Sequence, residues 1–261
     1  MKVNIVVLVM LCFFGCAKKD KSPYVQQQDI QLEQPRVKAS NTIIDSSVVI
    51  TSELRMKGVE IFYTSDGSEP SKSSETYKSA LVVSEEGSYK FKAFHPDWKP
   101  SAVSELRVYQ KGITPLSIDW KTKAHSTYPG LGNSTLVNHQ KAALNFSNPQ
   151  WVGFDTIVKA NVHFAKDTYI KSITVGYLVD TKSWIFPPEV ISVIINKTDT
   201  VQVKMPKPEN KEVLALDDVR ILIEKNVESL SVMISNTKEL PEWHAGKGLK
   251  AWLFMDEWIF N

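Results

Sequence analysis

From about position 35 onward the chain places apolar residues at every second position. Val59, Ile61 and Tyr63 alternate with Glu60, Phe62 and Thr64, and Tyr89, Phe91 and Ala93 alternate with Lys90 and Lys92. Side chains on a strand point to opposite faces in turn, so these runs predict half-buried β-strands. Between them, Ser65, Asp66, Gly67, Ser68, Glu69 and Pro70 form a turn cluster in which Gly67 supplies positive φ and Pro70 withholds a ladder donor. The run ending in Leu106, Val108 and Tyr109 closes a first unit, and residues 112–115 punctuate the chain after it. The pattern then resumes at Val158, Ala160, Val162 and Phe164, at Ile173, Val175 and Tyr177, at 190–195, 219–223 and 230–234, and in a final strand over 251–260. No stretch carries a convincing amphipathic helical period. Short strands separated by turn signals predict an all-β chain of two antiparallel β-sandwiches in series.

The N-terminus breaks the pattern. Lys2 precedes a continuous apolar run over residues 5–14. At a helical rise of about 1.5 Å per residue that run is too short for a hydrocarbon core of about 30 Å, so it predicts an export signal, not a membrane span. Gly15 before Cys16 supplies the small residue that lipoprotein signal peptidase requires, although Phe13 and Phe14 are bulkier than the usual lipobox residues. The expectation is a signal over 1–15, an acylated Cys16, and a polar tether over 16–32. Cleavage would discard Cys12, the other cysteine, and leave no disulfide. The hydrophobic core alone must then hold the fold. The lipid anchor also predicts a cell-envelope location, at the outer membrane, with its face unresolved.

Charge narrows the function classes. The 261 residues carry 31 basic and 29 acidic side chains, a formal net charge of +2. Nucleic-acid binders gather a marked basic excess into one patch, and here the lysines are dispersed. The five histidines, at 95, 125, 139, 163 and 244, show no HExxH or two-His-one-carboxylate spacing.

Residues 61–70, followed by Ser73, Ser74 and Tyr77 and by Lys90, Phe91, Lys92, Ala93 and Phe94, resemble the chitobiase/β-hexosaminidase C-terminal domain. The resemblance covers roughly 33–110 and implies an immunoglobulin-like sandwich over 33–112. The segments Trp151-Val152-Gly153-Phe154, Val175 to Leu178, Ser183 to Pro187, Trp243 to Lys247 and Ala251 to Glu257 resemble the discoidin-like, galactose-binding-fold domain that follows this module in bacterial family 20 β-N-acetylhexosaminidases. That resemblance implies a jelly roll over 113–261. Such enzymes carry a (β/α)8 catalytic barrel before these modules; only the signal and tether precede them here. The chain is therefore expected to be non-catalytic, and to bind or position glycans containing N-acetylhexosamine or galactose. A structural or protein-interaction lipoprotein, with an envelope protein as partner, is the alternative, and a remnant or partner of a glycoside hydrolase is the third reading.

Candidate site residues follow. A sugar needs an aromatic plate for its apolar face and nearby hydrogen-bonding groups. Trp184 and Trp243 with His244 fall in loop-like stretches of the second unit, and Trp98 lies beside His95 and Asp97 in the first. Asp256-Glu257 resembles the catalytic pair of family 20, but strict alternation would send its two side chains to opposite faces. Glu257 would share a face with Leu253, Met255 and Ile259, and Asp256 would share the other with Phe254, Trp258 and Phe260. A buried carboxylate needs a partner. The resemblance implies structural Ca²⁺ between Glu257 and an early loop. That loop here reads Leu136-Val137-Asn138-His139 where the family has Leu-x-Asp-Gly, so Asn138 removes one negative ligand. A Lys or Arg partner is the competing expectation.

Overall fold

The computed structural model describes residues 29–132, 134–209 and 212–261. The expected signal, Cys16 and all but the last residues of the tether lie outside the described residues. Within them no helix is long and apolar enough to cross a membrane. The architecture is all-β, interrupted by short 3-10 turns at Thr135–Val137 and Thr181–Ser183.

Two sheets are built from the first part of the chain. Strands β1 (Arg36–Ala39), β2 (Ile43–Ile44), β3 (Val48–Glu53), β4 (Glu60–Thr64), β5 (Glu75–Thr76), β6 (Leu81–Val83), β7 (Gly87–Phe94) and β8 (Ser104–Gln110) sort into a three-stranded sheet, β1-β3-β6, and a five-stranded sheet, β2-β8-β7-β4-β5. Alternation places Tyr89, Phe91 and Ala93 of β7 inward, where Phe91 is 0% exposed and stacks on Tyr63 at 5.8 Å. Ile44, Val48, Ile50 and Val108 complete this core. Fully burying such side chains contributes about 1.5–3 kcal/mol each. The predicted turn forms with Gly67 at φ +79°, and Asp66 Oδ1 accepts the Ser68 N–H at 2.9 Å.

The second part forms one seven-stranded sheet from β9 (Ser117–Trp120), β10 (Val152–Phe154), β11 (Val158–Asp180), β12 (Val190–Ile195), β13 (Asp199–Lys204), β14 (Leu214–Ser235) and β15 (Leu253–Phe260). Runs predicted as separate strands at 158–164 and 173–177 are one strand, as are those at 219–223 and 230–234. These two long strands pair antiparallel along their whole length, with register shifts between His163 and Thr168 and between Ile170 and Ser172. One half of the ribbon pairs with β9 and β12, and the other with β15. The breaks allow the sheet to fold on itself, so Val162, Val193 and Val232 of one half share a core with Val175, Leu253 and Trp258 of the other.

The two parts also meet. Arg107 of β8 donates to Asp218 of β14 at 3.1 Å, the Tyr109 hydroxyl donates to the same carboxylate at 2.7 Å, and Arg220 makes a two-pronged contact with Glu86 at 3.2 and 3.1 Å. The Ile113 N–H in the connecting stretch donates to the Phe260 carbonyl at 2.6 Å. Burial and the Asp218 charge raise the Tyr109 pKa far above the ordinary tyrosine value.

Candidate functional site

Two features of the second sheet carry polar or aromatic side chains in an arrangement that chemistry could use. The first is the Asp256-Glu257 pair. Along the β11–β15 ladder Tyr177 opposes Met255 and Val175 opposes Trp258, so β15 advances three residues while β11 advances two. This is a β-bulge, and the extra residue switches the side-chain parity of the strand. Trp258 and Phe260 consequently join Leu253 and Met255 in the main core, whereas Phe254 packs with Leu178 and Trp151 on the other side. The alternation expected across 251–260 is corrected accordingly.

The bulge lets one loop bind both carboxylates. Glu257 Oε2 and Oε1 accept the backbone N–H groups of Asn138 and His139, each at 3.1 Å. Asp256 Oδ1 accepts Lys141 Nζ at 2.7 Å, and its Oδ2 accepts the Ala142 N–H at 3.0 Å. The Lys141 ammonium also lies 5.2 Å from the centre of the Tyr109 ring, an aromatic face contributed by the first part of the chain. Asp256 is 1% exposed and Glu257 0% exposed. Burial raises the Glu257 pKa to about 8, partly countered by the His139 N–H. Sealed from solvent, the pair cannot reach a glycosidic bond, which must lie between two accessible carboxyls in hydrolysis.

The structure brings Asn138 and Glu257 together, and among the described residues no Lys or Arg pairs with Glu257. The oxygens that would ligate Ca²⁺ face N–H donors, which a cation would repel. Asn138 Oδ1 accepts from Gln140 N at 3.0 Å and from Gln150 Nε2 at 2.9 Å, and its own amide donates to Gln150 Oε1 at 3.0 Å. This donor set does not fit a divalent cation, and among the described residues no group of three or more His, Cys, Asp or Glu side chains could hold one. The cationic partner is also displaced by one residue, since Lys141 pairs with Asp256. His139, where the resembled pattern has glycine, keeps a left-handed backbone at φ 61°. Its Nε2 meets Thr114 Oγ1 at 3.0 Å, while its buried Nδ1 has no hydrogen-bond partner.

The second feature is an aromatic end formed by the loops at 125–128, 184–186 and 243–252. Trp184, at φ 65°, and Trp243 are half-buried against Phe186, Leu240 and Ala251. The Trp184 carbonyl accepts the Trp252 N–H at 2.9 Å, but the half-buried Trp252 ring packs in a second cluster, with Trp151, Leu178, Ile185 and Phe254. Trp252 in turn meets the edges of His125 at 4.9 Å and Tyr128 at 5.3 Å. Half-buried rings on neighbouring loops offer apolar faces of the kind on which a sugar can stack. Trp252, Tyr128 and His125 did not stand out in the sequence because they come from segments more than a hundred residues apart.

Two expected ligand residues fare differently. His244 is buried; its Nδ1 accepts the Gly246 N–H at 3.0 Å and its Nε2 meets the Thr181 carbonyl at 2.7 Å. Both ring nitrogens are thus used by the backbone, and His244 is corrected from ligand group to loop brace. Trp98 stacks on His95 at 4.3 Å and has its indole N–H buried without a partner. One face and the polar edge of that ring are therefore closed to a ligand, and the structure does not bring it near the aromatic end's rings.

Comparison with curated protein sequences finds no match. Among solved structures, the chain is similar to a SusE-like protein, with 11% identity, 86% of this chain and 95% of that chain covered, and a TM-score of 0.33. It is also similar to a carbohydrate-binding module of the β-sandwich superfamily (9% identity, 87% and 97% covered, TM-score 0.26) and to the N-terminal domain of the single-strand break repair protein XRCC1 (11%, 57% and 98%, TM-score 0.32). Residues 38–105 match the family model of the chitobiase/beta-hexosaminidase C-terminal domain.

Proposed function

We propose that the chain is a non-catalytic, lipid-anchored envelope protein that binds carbohydrate through the aromatic end of its second part. The observation that carries this reading is the set of half-buried rings on these loops, Trp184 with Trp243 in one cluster and Trp252 with Tyr128 in a second. Stacking of a pyranose on such rings buries apolar carbon while its hydroxyls stay wet. The match of residues 38–105 to a domain of chitobiases and β-hexosaminidases supports a glycan setting. Cys16 is the residue proposed to carry the lipid, on an outer membrane, with 1–15 as its signal. A glycan array probed with the full chain and with Trp252→Ala tests the binding reading. Retained signal in the wild type and loss in the variant supports it; identical profiles, or no signal from either, sink it. Cys16→Ser tests the anchor separately, by loss of the protein from the membrane fraction.

A further inference from the structure

A cavity of about 470 Å³ lies where the two parts of the chain meet. A second one of about 320 Å³ adjoins it, sharing Glu86 and Arg220 as wall residues. The pair spans the volume range of small-ligand sites, roughly 300–1,000 Å³. Its lining is unlike the aromatic end. No aromatic side chain lines the larger cavity, and the Tyr109 ring of the smaller one lies over Lys141.

The lining is rich in unused hydrogen-bonding capacity. The side chains of Glu85, Gln110, Lys171, Ser172 and Asn261 all border the larger cavity, and among the described residues none of them makes a hydrogen bond or ion pair. Ser172, which lines the cavity, is 2% exposed. Arg220 is fixed from two sides, by both Glu86 oxygens and by Thr174 Oγ1 at 3.5 Å. Planar groups held in place in this way offer their remaining donors and acceptors in fixed directions. The side-chain charges of Glu85 and Glu86 offset those of Lys171 and Arg220, so the lining offers no excess of positive charge to an anionic ligand. Amides, hydroxyls and offset charges around a cavity that also exposes apolar carbon match an uncharged ligand that presents both hydroxyls and C–H surface.

We infer that this inter-unit groove is a second carbohydrate subsite, one that takes a neutral saccharide edge-on through hydrogen bonds, independently of ring stacking at the aromatic end. Because its ligands come from β11 and from the first part of the chain together, occupancy would also brace the junction.

The side-chain amides of Gln110 and Asn261 provide direct reporters by NMR. The full chain is titrated with the trimers of N-acetylglucosamine and of galactose, and with the trimer of galacturonic acid as a charged control. The expected result is a saturable shift of both amide signals with at least one neutral trimer. Lys171→Met, an exposed change that leaves the core intact, should weaken it about fivefold, the loss of one hydrogen bond. Gln110→Leu should do the same, read at Asn261. Trp252→Ala should leave the shift unchanged, which separates failure of this subsite from failure of the aromatic-end reading. The inference is overturned if no neutral trimer moves either amide, if only the galacturonic trimer does, if both surface variants bind as wild type, or if Trp252→Ala abolishes the shift.

Discussion

Lys141→Met should be among the most damaging single changes in the chain. Its ammonium sits 2.7 Å from Asp256 Oδ1, with side-chain exposures of 10% and 1%. Methionine fills a similar volume but leaves a buried carboxylate with one remaining hydrogen bond, from the Ala142 N–H. Breaking a buried pair by removing one partner costs about 3–5 kcal/mol, because the surviving charge is stranded away from water. For a unit of this size each kcal/mol moves Tm by about 2–4 °C, so a fall of roughly 10 °C is expected. Removing both charges should be far milder. The double variant Lys141→Met, Asp256→Asn strands no charge, and the amide oxygen that replaces the carboxylate can still accept the Ala142 N–H. Urea denaturation of wild type, both single variants and the double variant, followed by tryptophan fluorescence, closes a double-mutant cycle. The double variant should recover at least half of the loss. A Lys141→Met cost below about 1 kcal/mol, the range of exposed pairs, would refute the reasoning, as would additive effects around the cycle.

Three further outcomes are expected. The Glu257 pKa is raised from 4.5 to about 8, so the folded state holds a proton that the unfolded state releases between those values. Stability from this group is therefore full below pH 4.5 and is lost as pH rises towards 8. Glu257→Gln, which cannot titrate and turns an NH₂ towards a backbone N–H, should be most destabilising in mild acid and least so above pH 8; a penalty that stays constant from about pH 5 to 9 would contradict this. Chelator and added Ca²⁺ should both leave the melting temperature unchanged, because the Glu257 oxygens already accept N–H donors; a rise with Ca²⁺ in calorimetry would reverse the assignment. Gly176→Ala should destabilise severely, since an added Cβ would collide with Lys141 Nζ and Asp256 Oδ1, and a variant melting as wild type would count against that packing.

Local pattern was readable where one strand and its turn decide the outcome. Tyr89, Phe91 and Ala93 point inward because alternation is a property of the strand itself, and Asp66-Gly67 makes its turn from its own side chain and φ. Features set by a partner were not readable. The bulge at 256–257 exists only in the register against β11, so the sequence alone assigned Trp258 to the wrong side of its strand. Asp218 finds Arg107 and Tyr109 across more than a hundred residues, and nothing in the local sequence marks that meeting. What His244 does depends on a distant segment as well, since nothing in its Trp-His-Ala-Gly turn marks the Thr181 carbonyl that closes its ring.

The bulge has a consequence for how length changes act on this chain. Between Met255 and Trp258 the number of residues is fixed by the count on β11, so the segment tolerates exchange of side chains but not insertion or deletion. Deleting one residue there would restore simple alternation and rotate Trp258 and Phe260, both now 1% exposed, out of the main core. In related sequences a gap at 256–257 should therefore coincide with changed residues at 258 and 260, the two aromatic positions it would turn. A relative that keeps both aromatics should keep the spacing, whatever residues occupy 256 and 257.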